Sequence, residues 1–376
     1  MNAPLSHART LEPARSPRRW HAVRLLHVEP DAERLEDTTL AQLPERLAPG
    51  DLLVVNDAAT LPASLTLTSH AAELRLVGHA GDGRFRAVVF GDGDWRTSTE
   101  RRGPAPPLRA GARFCAGELC GRVSAVDPDE PRLIALHFEL TGAELWAALY
   151  RVGRVVQYAY LERPLELWDV HNRFASRPWA FEPPSAGLPL AFELLEALRR
   201  RGVELAWLSH AAGLSSTGSA SLDRRLPFPE RYELPAGTVA AIERTRDAGG
   251  RVVAVGTSVV RALESNFADF GRLRAGPAEA RLVLGPESRL SVVSGLLTGM
   301  HEPSTSHFSL LGAFAPAALL ERAHEYALEA GYLQHEFGDS CLILGAAPGA
   351  HFLASKLYTN GSTSTVLPVG NFNVST

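Results

Sequence analysis

Short apolar runs separated by polar turns recur along most of the chain, and their period changes from region to region. Residues 52–55 form a wholly apolar run bounded by turn residues, which predicts a buried strand. From about residue 65 to 138 the segments alternate apolar and polar positions, as at 84–90, and are broken by glycine- and proline-rich turns. That pattern is typical of antiparallel β-structure, so we predict an inserted small β-barrel domain at residues 65–150.

Beyond residue 150, helical and strand patterns alternate. The predicted helices lie at 188–201, 235–248, 259–267 and 316–330, and the predicted strands at 203–208, 251–255, 290–297 and 340–344. Such alternation favours a mostly parallel sheet flanked by helices. We therefore predict the α/β fold class, with a discontinuous domain of residues 1–64 plus 151–355. The segment 356–376 is rich in serine, threonine and asparagine and is predicted to be a flexible tail.

Composition narrows the functional classes. The chain has 376 residues, of which 45% are hydrophobic and 21% charged, as expected for a globular protein with a sizeable core. No apolar run approaches the roughly 20 residues of a membrane helix, and the first 20 residues lack the apolar core of a signal peptide, so we expect a cytoplasmic protein. The net charge of −4 gives no general attraction for nucleic acid, although arginine clusters leave a local basic face possible.

The three cysteines and the missing motifs narrow the chemistry further. Cys115, Cys120 and Cys341 form no CxxC pair, so we predict reduced thiols. A metal site is not expected, because neither HExxH nor CxxC spacing occurs. The absence of GxxxxGK[ST] and of GxGxxG after a strand argues against P-loop chemistry and a nicotinamide cofactor.

Polar residues cluster where the predicted strands end. The clusters are Asn56-Asp57, Ser209-His210, Gly256-Thr257-Ser258 with Arg261, Thr298 to His301, and Glu336 to Ser340. Ligands of α/β proteins bind at the carboxyl ends of strands, so we predict that these clusters converge on a site. There, His210 and His301 could act as general acid or base, with Glu230 or Asp339 as a carboxylate partner.

Several of these segments also occur together, and in the same order, in one known family. They are 50–57, 249–257, 260–265, Leu297-Thr298 with His301 and Pro303, and Phe337-Gly338-Asp339. Together they closely resemble S-adenosylmethionine:tRNA ribosyltransferase-isomerase, the family of queuosine-biosynthesis enzymes. The resemblance spans about residues 50–344, and its most specific part is 249–265.

The resemblance implies a barrel-related α/β domain, a β-barrel insertion, and S-adenosylmethionine as a substrate with no cofactor. The family transfers and rearranges the ribosyl portion onto 7-aminomethyl-7-deazaguanine in tRNA, giving epoxyqueuosine, adenine and methionine. Such a reaction needs a base beside the sulfonium, an acid for the departing adenine and a shielded pocket. The resemblance places His210, His301, Asp339 and Glu230 among the catalytic candidates. The substrate-binding candidates are Asn56, Asp57, Gly187, Gly213, Gly256, Thr257, Ser258, Arg261 and Thr298.

The chain also departs from the family pattern. Ala59 and Ser64 stand where the family has arginines, and Pro189 and Phe228 stand where it has histidines. Two alternatives therefore remain: a diverged enzyme that uses S-adenosylmethionine or another adenosyl compound with a different acceptor, and a non-catalytic nucleoside- or RNA-binding protein. No membrane partner is expected, the sequence carries no signal for self-association, and a monomer is favoured.

Overall fold

Two sheets of different kinds organise the protein, whose residues 10–303 and 305–345 are described by a computed structural model. A nine-stranded mixed sheet forms the larger part, and a six-stranded antiparallel sheet forms the smaller. Within the described ranges no helix combines the length and apolarity needed to cross a membrane. The predicted tail at 356–376 lies outside the described residues.

The strands, in chain order, are β1 Glu12–Pro13, β2 Arg24–Glu29, β3 Arg34–Thr39, β4 Leu52–Asn56, β5 Ala58–Thr60, β6 Ser64–Thr66, β7 Glu73–Gly81, β8 Arg84–Phe90, β9 Arg113–Ala116, β10 Leu119–Val126, β11 Leu133–Phe138, β12 Arg177–Ala180, β13 Glu204–His210, β14 Glu230–Leu234, β15 Val252–Val255, β16 Gly276–Ala280, β17 Gly295–Gly299, β18 Leu333–Gln334 and β19 Ser340–Leu344. The α-helices are α1 Leu43–Arg46, α2 Gly142–Val152, α3 Leu167–Val170, α4 Phe192–Arg200, α5 Ala220–Asp223, α6 Ala236–Asp247, α7 Thr257–Phe270, α8 Ser306–Leu311 and α9 Ala317–Ala330.

The nine-stranded sheet is parallel only at its centre. Its order is β16-β14-β13-β4-β15-β17-β19-β2-β3, and β13, β4, β15 and β17 run parallel to one another. Four of the eight pairings are antiparallel, so the expectation of a mostly parallel sheet is corrected. One reason is local, because the short turn Pro30–Ala32 joins β2 to β3 and a connection that short permits only antiparallel pairing.

Both faces of the central strands are buried, which explains their unbroken apolar sequence. Leu52 and Val54 of β4 face one apolar core, packed with helices α6, α7 and α9, whereas Leu53 and Val55 face another, packed with α1 and α4. All four side chains are at most 1% exposed. The continuous run predicted as a strand at 52–55 is therefore confirmed, and its carboxyl end is held at the centre of the sheet.

The smaller sheet is an antiparallel barrel in the order β6-β7-β8-β11-β10-β9. Its two end strands are brought together at Thr68, whose backbone N–H and hydroxyl donate to the Cys115 carbonyl at 2.8 and 3.0 Å. Phe85, Phe114 and Phe138 pack edge to face in its interior. The α/β class with an antiparallel barrel between β5 and β12 is thus confirmed.

The prediction of three reduced cysteines is wrong for one pair. Cys115 and Cys120 face each other on β9 and β10 and form a disulfide, with Cα atoms 4.1 Å apart. The physical reason is the tight turn at 117–118, which places positions 115 and 120 directly opposite in the hairpin. Cys341 is a buried free thiol, and burial raises its pKa to about 12.

Two predicted elements differ in extent from those observed. The helix predicted at 188–201 begins only at Phe192, because the chain first makes a 3₁₀ turn at Ser185–Gly187 and a further turn at Pro189. The strand predicted at 290–297 is present only as Gly295–Gly299. The backbone N–H groups of residues 291–293 donate to the Glu264 carboxylate instead of a neighbouring strand.

Candidate active site

A cavity of about 640 Å³ lies where the central strands end and the barrel begins. The ends of β15 and β17, the start of α7 and the loop after β13 line one side. The barrel contributes Arg75 of β7 and residues 97–100, and the segments 158–160, 182–186 and 334–336 complete the wall. Its volume suits a small-molecule ligand, and its position is the one predicted from the strand ends.

The structure brings most of the predicted site residues to this cavity. The predicted residues that line it are Gly213, Glu230, Gly256, Thr257, Ser258, Arg261, Thr298 and His301. The predicted residues outside its lining are Asn56, Asp57, Gly187, His210 and Asp339. The first group comes from four separate stretches of chain, at Gly213, Glu230, 256–261 and 298–301. Of the predicted strand-end clusters, those at 256–261 and 298–301 meet here, whereas Asn56-Asp57 and Ser209-His210 do not line the cavity, so the predicted convergence is only partial.

The first residues of helix α7 line the cavity. Gly256 precedes the helix with φ of +93°, a conformation that side chains other than glycine rarely adopt. A Cβ atom there would also lie 3.4 Å from the Ala186 Cβ. Glycine thus allows β15 to turn directly into α7. The positive end of the dipole of this 14-residue helix lies at Thr257 and Ser258. The arrangement can bind an anionic group.

Replacing Gly256 with alanine is expected to lower the free energy of unfolding by roughly 1–3 kcal/mol, because alanine is strained at this φ. Gly237→Ala is the matched control. Gly237 lies on the exposed face of α6 with open space around its Cα, so alanine should raise stability by roughly 0.5–1 kcal/mol. Urea unfolding of both variants measures the difference, and equal effects would contradict the strain argument.

Arg261 and Glu230 form a buried ion pair at the cavity wall. The Arg261 guanidinium donates to Glu230 and to the carbonyl oxygens of Phe228 and Ala280, the latter two at 3.3 and 3.1 Å. The second Glu230 oxygen accepts the Gly213 N–H at 2.5 Å. Burial raises the Glu230 pKa, whereas Arg261 opposes that shift. The pair fixes the loop at Gly213 and the strand β14 to helix α7.

His210 lies behind this ion pair and does not border the cavity. Its Nε2 is 3.5 Å from a Glu230 oxygen, and neither ring nitrogen has a hydrogen-bond partner. Complete burial, together with the nearby Arg261 charge, lowers the His210 pKa to about 3. The ring is therefore neutral near pH 7 and forms no salt bridge with Glu230, so its position suits packing behind the site.

His301 borders the cavity directly. Its Nε2 lies 2.7 Å from the Thr298 hydroxyl, and its ring stacks on His307 with centroids 5.2 Å apart. Burial, followed by the His307 and His335 rings, lowers the pKa of His301 to about 3. The imidazole is accordingly neutral near pH 7 and is a weaker base than a free histidine, while Thr298 fixes its orientation.

The remaining predicted residues hold the surrounding backbone. The Asn56 amide bonds the His210 backbone N–H and carbonyl at 2.9 and 3.0 Å, which aligns the ends of β4 and β13. The Asp57 carboxylate accepts hydrogen bonds from the hydroxyl groups of Ser209 and Ser176 at 2.5 and 2.9 Å.

Asp339 and Gly187 are likewise placed outside the cavity. Asp339 is 2% exposed, and it pairs with Arg18 and accepts the Arg24 and Leu333 backbone N–H groups. It therefore ties the N-terminal segment to the last strand of the sheet. Gly187 lies against the Asn172 side chain, where a Cβ would be 3.1 Å from its amide nitrogen.

The cavity side chains Tyr158, Tyr160 and Glu182 were missed from the sequence, whereas their neighbour Glu336 belonged to a predicted strand-end cluster. The Tyr158 hydroxyl donates to Glu182, and the Tyr160 hydroxyl donates to Glu336. Glu182 also accepts the Ser215 backbone N–H at 3.1 Å. Glu182 is half-buried where it borders the cavity. The removal of its carboxylate from bulk water raises its pKa to about 7, although the hydrogen bonds from Tyr158 and Ser215 oppose that shift.

Among the described residues, one group has the spacing of metal ligands, and it lies outside the cavity. His27, Glu29 and Glu36 offer atoms within 4.8 Å of one another on β2 and β3. Both carboxylates already form ion pairs, Glu29 with Arg34 and Glu36 with Arg46. Arginines at both carboxylates do not fit a bound cation.

Comparisons with known proteins extend over nearly the whole chain. A sequence profile described as queuosine biosynthesis protein matches residues 7–343. The S-adenosylmethionine:tRNA ribosyltransferase-isomerase of Acidiphilium cryptum is 34% identical over 343 residues, which cover 88% of this chain and 94% of that protein. The enzyme of the same name from Gloeobacter violaceus is 37% identical over 324 residues, covering 82% and 85%. A crystal structure of S-adenosylmethionine tRNA ribosyltransferase from Thermotoga maritima is 24% identical, with a TM-score of 0.48 over 88% of this chain and 96% of that one.

Proposed function

The chain belongs to the queuosine biosynthesis protein family, and from that membership we propose that it is an S-adenosylmethionine:tRNA ribosyltransferase-isomerase. It transfers and isomerises the ribosyl moiety of S-adenosylmethionine onto 7-aminomethyl-7-deazaguanine in tRNA, giving epoxyqueuosine, adenine and methionine. The observation that carries this proposal is the 34% identity that extends over 94% of a relative with that name. Residues 249–265 lie within the matched range 7–343 of the family profile, and among them 255–258 and 261 line the cavity.

The cavity offers separate surfaces for the parts of S-adenosylmethionine. The N–H groups at Thr257 and Ser258, at the positive end of α7, suit the carboxylate of the methionine portion. His301 is the histidine that borders the cavity beside Thr298, and in its neutral form one ring nitrogen has a lone pair for the proton beside the sulfonium, although its lowered pKa makes it a weaker base than a free histidine. The sulfonium stabilises the carbanion formed there, and enclosure between sheet and barrel limits its reaction with water.

The departures from the family pattern affect the acceptor more than S-adenosylmethionine. Ala59 is buried in β5, and the Ser64 hydroxyl donates to Glu73 at 2.7 Å. Neither of these short side chains lines the cavity, so neither can replace an anion contact of the two missing arginines. They favour, as the second candidate, an enzyme with the same donor and a different acceptor. For either candidate we propose a cytoplasmic monomer.

Mass-spectrometric detection of adenine and methionine tests the proposal. The protein is incubated with S-adenosylmethionine, with and without tRNA carrying the aminomethyl-deazaguanine base. Release of both products that depends on this tRNA, with the matching gain in RNA mass, is the expected result. Product release that does not depend on the tRNA would favour the second candidate, an enzyme with a different acceptor. Tight binding of tRNA without any release would overturn the enzymatic proposal in favour of a binding protein.

His301→Phe is expected to lower kcat for adenine release by about 10²-fold, the loss typical of removing a general base. Phenylalanine preserves the ring shape, so folding should change little. The exposed His70, between β6 and β7, gives the matched control, because His70→Phe makes the same chemical change outside the cavity lining. Equal activity of the two variants would remove His301 from the proton-transfer role.

A further inference from the structure

One corner of the cavity combines stacked aromatic rings with carboxylates. Tyr158 and Tyr160 have ring centroids 6.1 Å apart and planes within 15° of parallel, and His335 stacks on Tyr160 at 4.2 Å. Each tyrosine hydroxyl donates to a carboxylate, Tyr158 to Glu182 and Tyr160 to Glu336. The rings stack on one another and so hold the two carboxylates in place, and carboxylates attract cations, so the corner has the chemistry of a site for a positively charged group.

The titratable and charged groups that face Glu182 come from several elements. Tyr158 and Tyr160 lie on the segment after α2, Glu336 lies between β18 and β19, and Arg75 lies on β7 of the barrel. Arg75 pairs with Glu73 at 2.8 Å and is 1% exposed. Glu73 also pairs with Arg102, and the Arg75 guanidinium lies 5.3 Å from the Tyr158 ring centroid, so Arg75 places one positive charge beside Glu182. The two carboxylates of this corner, Glu182 and Glu336, outnumber that charge and both line the cavity, where a second cation can reach them.

We propose that this corner receives the primary amine of the acceptor and that Glu182 removes its proton before the amine attacks. The inference rests on the proposed function, because it assumes an acceptor that carries an aminomethyl group. A primary amine resembles lysine, with a pKa of about 10.4, so it arrives as an ammonium ion that has no lone pair for attack. In the step, one N–H bond of the ammonium breaks and an O–H bond forms on Glu182. The lone pair stays on nitrogen, and Glu182 later releases the proton to water.

The geometry distinguishes Glu182 from the other cavity carboxylates. Glu230 is committed to Arg261 and to the Gly213 N–H. Glu182 accepts only neutral donors, from Tyr158 and Ser215, so it can take up a proton without breaking an ion pair. Its elevated pKa also places its titration in the neutral range, where a general base is most effective.

The test compares Glu182→Gln with wild type in steady-state assays across pH 5–9, with the concentrations of tRNA and S-adenosylmethionine varied separately. Glutamine should lower kcat/KM for the tRNA by about 10²-fold and leave KM for S-adenosylmethionine within twofold. The wild-type rate should rise as pH increases through about 7, since the base must be ionised. Glu182→Gln should lack this rise. Glu193→Gln, at an exposed position on α4, is the matched control and should behave as wild type.

A second variant keeps the test decisive if Glu182→Gln folds poorly. The Tyr158 hydrogen bond lowers the pKa of Glu182, so Tyr158→Phe should move the acidic limb of the profile to higher pH. An unmoved limb, or a rise in KM confined to S-adenosylmethionine, would overturn the inference and assign the corner to the sulfonium substrate. A wild-type protein without tRNA-dependent turnover would instead show that the proposed function itself had failed.

Discussion

Replacing Arg261 with methionine is expected to lower the free energy of unfolding by about 3–5 kcal/mol, because Glu230 would remain buried without its charged partner. Arg261 and Glu230 have side chains only 7% and 9% exposed, so water from the cavity replaces the lost guanidinium only in part. Methionine retains most of the apolar stem, which confines the change to the charge and its hydrogen bonds. Denaturant unfolding monitored by circular dichroism measures the loss.

The same variant should be more destabilised at pH 8 than at pH 5. Without Arg261 the pKa of Glu230 rises further above the unfolded-state value of about 4.3, because burial then acts unopposed. A group whose folded-state pKa is raised favours folding at low pH, and that contribution is lost as pH rises through the raised value. Adding Glu230→Gln to Arg261→Met should recover part of the stability.

Arg281 provides the control for this experiment. It pairs with Glu279, but the two side chains are 72% and 49% exposed. Arg281→Met should therefore cost less than about 1 kcal/mol and show little dependence on pH. Similar losses for the two arginine variants would mean that the pair of Arg261 and Glu230 is solvated and does not organise the cavity wall.

Glu264→Ala is expected to destabilise the protein by about 3–5 kcal/mol, since three backbone donors lose their acceptor and each unsatisfied buried group costs about 1–3 kcal/mol. Glu264 is 3% exposed, and its carboxylate accepts the N–H groups of Ser291, Val292 and Val293 at 2.8 to 2.9 Å. Hydrogen exchange at these three amides should accelerate, which reports the lost bonds directly.

Glu264→Gln tests whether the oxygen or the charge matters. Two of the three N–H groups share one carboxylate oxygen, so glutamine can retain those two bonds and should lose about half as much stability. Glu243→Ala, at an exposed position on α6, should change stability by at most about 0.5 kcal/mol. Unchanged hydrogen exchange in Glu264→Ala would show that the segment is held by other contacts.

Local patterns allowed much of the fold to be predicted. The strand at 251–255, the glycine turn at Gly256 and the helix that follows are adjacent in the chain, so their periodicity and turn residues suffice. The strand predicted at 290–297 was too long because its hydrogen bonds go to a side chain on α7, about 27 residues away in sequence. The periodicity of apolar positions reports local structure and carries no information about a contact between residues so far apart in the chain.

The site was predicted in part for the same reason. Strand ends in one sheet converge, which correctly brought Thr298 and His301 beside the start of α7. Tyr158 and Glu182 reach the cavity through irregular segments between the barrel and the sheet, and neither segment has a periodicity or a motif that marks it. Asp339 shows the opposite case, since a motif placed it near the reaction while its carboxylate is occupied by Arg18 and two backbone N–H groups.

The position of β4 at the centre of the large sheet affects how the chain can fold during synthesis. Residue 52 pairs with residues 204 and 252, so strand β4 is made long before either of its neighbours. All strands of the barrel lie between residues 64 and 138, and their pairings are local by comparison. Local contacts form faster than distant ones, so the barrel can complete on the ribosome while β4 still has two unpaired edges. Any pause in translation before residue 204 would leave that apolar strand as the segment most open to aggregation.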